Sequence, residues 1–189
     1  MSTYGIVLFI HLSAAVGAFA ANGVLLLVLR RIRAAQTGAE ALPWLAIGKA
    51  TARAFPPALL LLFASGAYLV HDAWTWRTGW IDAGIAGAIV LPLVGDRLEG
   101  RAAARLAQAL AAAPQEAPGA LVRDPMFWTA SLVNPALALG IVFVMATKPS
   151  LAGSIAALLV AVALGALAAV PLWRSPQAAR ALAAGAEPN

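Results

Sequence analysis

Residues 4–29 read YGIVLFIHLSAAVGAFAANGVLLLVL and stop against RRIR at 30–33. None of these 26 residues carries a formal charge. About 20 apolar residues at 1.5 Å each cross the hydrocarbon core of a bilayer. The stretch predicts a first membrane-spanning helix. Arg30, Arg31 and Arg33 predict that its far end emerges in the cytoplasm, since basic residues are retained there. No Lys or Arg precedes the run, which is also longer than the apolar region of a signal peptide. The expectation is an uncleaved first span, although Ala18-Phe19-Ala20 mimics a cleavage motif.

The composition agrees with that reading. Of the 189 residues 62% are hydrophobic and 11% charged, where a soluble domain carries about 25% charged residues. A single integral membrane domain over 1–189 fits this length. The net charge of +5 and pI near 10.8 would also suit nucleic acid, but no binding motif accompanies them. The basic residues fall where a membrane topology puts them, so no nucleic-acid partner is expected. There is no Cys, which excludes disulfides, thiolate chemistry and cysteine-ligated metal centres.

Working outward from the first span, four more apolar segments run over about 55–74, 80–94, 126–147 and 151–173. Between them the first loop holds Arg30, Arg31, Arg33, Lys49 and Arg53. The loop after the third span holds Arg97, Arg101, Arg105 and Arg123, and the tail holds Arg174 and Arg180. Only Arg77 and Lys148 stand on the other side. That asymmetry predicts an all-α bundle of five transmembrane helices, N-terminus outside and C-terminus cytoplasmic. Pro56-Pro57 fits the first turn of span two, where a missing N–H costs nothing; if that helix begins near Leu45 the pair is a kink instead. Trp74, Trp76 and Trp80 at one level and Trp128 and Trp173 at the other form interfacial belts. The third span is short, and its helix is expected to continue over about 95–113. Along that extension Arg97, Arg101 and Arg105 share one face at headgroup level, while Leu98, Leu106 and Leu110 share another. Residues 114–119 read as a loop, Asp124 as the cap of span four, and 147–150 as a tight outer hairpin. In span five Gly153, Ala157, Ala161, Gly165 and Ala169 recur every fourth residue and make a smooth face for close helix approach, within the bundle or in a homo-oligomer.

Few polar residues lie inside the spans. His11 is about 10 Å into span one, counted from Tyr4, and His71 lies near the outer end of span two; these are the only two histidines. Asp72, Arg77 and Asp82 border the same outer region. Imidazole is the usual haem and copper ligand in a chain without Cys, and an ionisable residue inside a membrane is a functional candidate. His11 and His71 are therefore the candidate ligands for haem b or copper, against a structural role as interhelical glue. Asn22, Ser131 and Asn134-Pro135 read as glue between helices. No nucleophile–base pair, phosphate-binding loop or acidic metal cluster is present, so no catalytic residue is assigned.

Residues 9–19, FIHLSAAVGAF, with the arginine-rich first loop and VMATKP at 144–149, resemble small bacterial multi-spanning proteins of the CopD-related, uncharacterised integral membrane type. The resemblance covers the first four spans and implies a bacterial inner-membrane protein. A more distant similarity is to the membrane-embedded haem-dependent protoporphyrinogen oxidases, whose first-span histidine, matched by His11, implies haem binding. Three readings follow: an integral membrane protein acting as accessory subunit of a larger membrane complex, a haem- or copper-binding redox protein using His11, or a small-molecule or ion permease. The lipid bilayer and a membrane-protein partner are the expected partners.

Overall fold

The computed structural model describes residues 2–116, 118 and 124–173. Within them the chain is all helical: α1 (Thr3–Ala34), α2 (Gly38–Ala52), α3 (Phe55–Ala73), α4 (Gly79–Val94), a π-helical stretch (Gly95–Gly100), α5 (Arg101–Ala112), α6 (Pro125–Thr147), α7 (Leu151–Ala169) and a 3-10 turn (Val170–Trp173). Four segments are long and apolar enough to cross a membrane: Thr3–Ala34, Gly38–Ala73, Pro125–Thr147 and Leu151–Trp173. The expected third span is the exception, since α4 has only 16 residues. It does continue without a break through the π-helix into α5, as its sequence suggests. Arg123, Arg174, Arg180 and part of the 114–119 loop lie outside the described residues.

Two expectations about the first loop are corrected. The helix of span one does not stop at Leu29 but runs on through the arginines to Ala34, and the segment after it is a helix rather than a loop. Thr37 and Glu40 explain the second change. Thr37 Oγ1 accepts from the Glu40 N–H at 3.3 Å, and Glu40 Oε2 accepts from the Gln36 N–H at 2.9 Å, an arrangement close to a capping box. Helix α2 ends at Ala52, and α3 begins at Phe55 with Pro56 and Pro57 in its first turn. The proline pair opens a helix and kinks none.

The helices pack as two sets. In one, α6 lies against α7 and α4. Close approach is permitted by glycine: a Cβ on Gly140 would come within 2.8 Å of the Ala161 Cβ, and one on Gly165 within 2.7 Å of the Val133 Cα. Gly165 and Ala169 are buried, while Gly153, Ala157 and Ala161 are half-buried. Gly87 facing Ile141 and Gly95 facing Asn134 show that α4 runs antiparallel to α6. In the other set α3 packs on α1, and α2 folds back along the far half of α1, with Gly48 against Val28.

Apolar clusters join the two sets at both ends. At one end Val28, Ile32, Ala41, Leu106, Leu110, Phe127 and Trp128 pack together. The apolar face of α5 is thus covered within the chain. At the other end Val70, Trp80, Ile81 and Val144 pack together. Cations cover the aromatic rings at each end: Arg31 over Trp44 at 5.5 Å and Arg33 over Trp128 at 5.0 Å, and Lys148 over Trp74 at 4.5 Å. Such contacts strengthen where water is excluded. Lys148 is also the left-handed residue, φ 51°, that ends α6 before Ser150 caps α7 through the Gly153 N–H at 3.2 Å. Asp124 caps α6, its Oδ1 accepting from the Met126 N–H at 2.9 Å.

Candidate functional site

Among the described residues, two places bring a histidine or a carboxyl against a polar side chain of another helix. The first is the seam of α1 and α3. His11 Nδ1 lies 3.0 Å from Ser65 Oγ. Ser65 sits one turn past Leu61 on α3, and its hydroxyl is hydrogen-bonded to the Leu61 carbonyl. A hydroxyl has one proton, and a carbonyl can only accept. With the Ser65 proton on the Leu61 carbonyl, the His11 ring donates from Nδ1 to Ser65 Oγ. In the neutral imidazole this leaves the lone pair on Nε2. Gly66 keeps the ring in place from the side: a Cβ there would sit 3.3 Å from His11 Cε1. His11 is half-buried and Ser65 buried.

The structure does not bring the two histidines together. His71 is exposed near the end of α3, two turns beyond Ser65. No hydrogen bond joins Ser131 to His11 among the described residues; its hydroxyl donates to the Phe127 carbonyl of its own helix at 2.9 Å. The polar side chain that meets His11 is Ser65. Among the described residues no group of three or more His, Asp or Glu side chains is placed to hold a metal ion. One imidazole nitrogen is what this seam offers.

The second place is the contact of the π-helical stretch with α6, which sequence reasoning missed. The Glu99 carboxyl is hydrogen-bonded by the Asn134 side chain, and burial pushes that carboxyl up to about 7. Glu99 Oε1 and Asn134 Oδ1 are both buried without a hydrogen-bond partner. Because Oδ1 is unpaired, the Asn134 amide is the donor in the bond between them. Two orphan acceptors side by side are expensive, and a proton on Glu99 removes one of them. Gly95 stands one turn before Glu99, and a Cβ on it would sit 3.3 Å from Asn134 Nδ2; its hydrogen leaves room for the amide. Glu99 is flanked in sequence by Arg97 and Arg101, which suggests a solvated charged face. The widened π turn, a feature frequent at functional sites, places it toward α6.

No family model, curated protein or solved structure matches the chain.

Proposed function

We propose that the chain is a bacterial inner-membrane protein that crosses the membrane five times, with its N-terminus outside and C-terminus in the cytoplasm. In this reading α4 is the fifth and shortest crossing, and the π-helix that follows it lies at the headgroup level. The excess of Lys and Arg at one end of the helices supports the orientation.

In this reading His11 is a ligand to haem b or copper. The observation that carries it is the commitment of the Ser65 proton to the Leu61 carbonyl. It would make His11 Nδ1 the donor and leave Nε2 as a lone pair, and metal-bound imidazole is commonly held in this way, its second nitrogen bonded to an acceptor. A histidine serving only as glue would be expected to satisfy both nitrogens. The bound group would supply one-electron chemistry; Ser65 and Gly66 would orient the ring. One imidazole does not complete a copper site. The role therefore fits an accessory subunit of a larger membrane complex, with a partner or second copy completing the coordination. The likeness of residues 9–19 to CopD-related proteins points the same way.

A second reading has its own support. Phe9, Val16, Leu60 and Leu61 leave apolar surface open along α1 and α3, as a subunit docked through these helices without any cofactor would require.

An absorbance spectrum separates the two. Protein expressed with ample haem and copper and purified in mild detergent should show a Soret band or bound copper. The signal should disappear in His11→Ala while the fold, checked by circular dichroism, persists. A colourless, copper-free wild type would remove the ligand reading and leave the docking one.

A further inference from the structure

Where the π-helical stretch and α5 pass the start of α6 there is an open pocket of about 240 Å³. Arg97, Arg101 and Arg105 line it, one per turn on a single helix face, and all three are exposed. Among the described residues the acid in the wall is Asp124, and its Oδ1 already accepts from the Met126 N–H as the cap of α6. No ion pair involves the three arginines among the described residues. Three guanidiniums held within one pocket repel one another unless an anion sits between them, and their fork geometry suits phosphate oxygens. At the start of α6 Pro125 has no N–H and that of Met126 is taken by Asp124. The rest of the wall is apolar: Leu98 and Phe127 back the pocket, and Met126 lies exposed at it.

We infer that this pocket binds the headgroup of an anionic glycerophospholipid, with the phosphate among Arg97, Arg101 and Arg105 and the upper acyl chain along Met126 and Leu98. The combination of cationic and apolar wall decides for a lipid over free phosphate, because a phosphate ion has no use for the apolar part. The position agrees, since the pocket opens where α4 has ended and α6 begins, at the level of the headgroups. The inference rests on the chain lying in a bilayer and is independent of what His11 binds.

The test uses the full chain in a neutral detergent. Its melting temperature is followed on adding dioleoyl phosphatidylglycerol, dioleoyl phosphatidylcholine or inorganic phosphate, and the lipids retained are counted by native mass spectrometry. Phosphatidylglycerol should raise the melting temperature by several degrees and remain bound. Phosphatidylcholine and phosphate should not. Arg101→Gln should lose at least half of the rise, and the triple change R97Q/R101Q/R105Q should abolish it. Arg77→Gln, on the far side of the bundle, should keep it in full. An equal rise with inorganic phosphate alone would overturn the lipid assignment. An undiminished rise in Arg101→Gln would overturn the site, and that single exposed change keeps the test open if the triple variant does not fold.

Discussion

The set formed by α4, α6 and α7 and the pair formed by α1 and α3 solve the same problem differently. Lipid tails are as apolar as leucine, so burial of apolar side chains against one another gains little, and helices need close contact or hydrogen bonds to associate. The α6–α7 seam uses contact: Gly140 meets Ala161, and Gly165 sits against the α6 backbone at Val133 and Leu132. The α1–α3 seam uses a hydrogen bond. Gly17 and Gly23 in α1 have nothing within 4 Å of where a Cβ would stand, so glycine there brings no helix closer, and His11–Ser65 is the polar tie. One seam is specified by shape and tolerates no added atom. The other is specified by chemistry, and its close glycine, Gly66, faces the His11 ring.

The largest expected effect tests whether the first set is as purely shape-determined as its α6–α7 seam suggests, because Glu99 lies on its other face. The folded protein holds the Glu99 proton up to about pH 7, whereas an ordinary carboxyl releases it near 4.5. Between those values the native state binds more protons than the unfolded chain, so stability falls as pH rises. The full contribution is present below pH 4.5 and is lost by the time pH has passed 7. A shift of this size corresponds to about 3 kcal/mol. Glu99→Gln should remove this dependence and make the protein more stable than wild type at pH 8. Melting temperatures of both proteins across pH 5–8 measure it, and parallel curves would mean that Glu99 is ionised throughout.

The next effect bears on the contrast itself. Gly165→Leu should cost about 1–3 kcal/mol through overpacking, because the first added atom already meets the backbone of α6. Gly17→Ala, in the other pair, should be neutral or stabilising by up to about 1 kcal/mol from helix propensity alone. Unfolding in detergent reads both. Equal costs at the two glycines would dissolve the distinction between the seams.

Hydropathy made most of this architecture legible, because the spans over residues 4–29, 55–74, 126–147 and 151–173 have no competing reading as soluble helices. The row from Gly153 to Ala169 was visible by its spacing, but its partner was not, since spacing says nothing about which helix lies opposite. Helix α2 was missed although its signal was present: Thr37 and Glu40 stand three apart before an apolar run. The charges of the arginines before them drew the segment as a loop. The candidate site was half legible. His11 stood out as an ionisable group at depth. Ser65 did not, because its partner is 54 positions away and one serine in an apolar span has no periodicity. Glu99 was hidden for a local reason: its neighbours Arg97 and Arg101 imply solvent, and only the π-helical widening turns it inward.

The smallest expected effect separates the two roles the α1–α3 hydrogen bond could serve. Interhelical hydrogen bonds in membranes contribute about 0.6 kcal/mol on average and at most about 1.7. Ser65→Ala should therefore destabilise by about 0.5–1.5 kcal/mol and leave the helices in place. Its sharper consequence is at the ring. With Ser65 Oγ gone, His11 Nδ1 loses that partner and the ring is held less firmly. In the wild type, nitrogen chemical shifts of His11 should report a proton on Nδ1 and none on Nε2; in Ser65→Ala the two tautomers should both be populated. If His11 is a ligand, the same change should weaken retention of the chromophore or copper by roughly 10-fold to 100-fold, the usual cost of losing the group that orients a metal-bound histidine. A wild-type ring protonated on Nε2 would contradict the bond directions deduced for this seam, and with them the argument that His11 has a lone pair to offer.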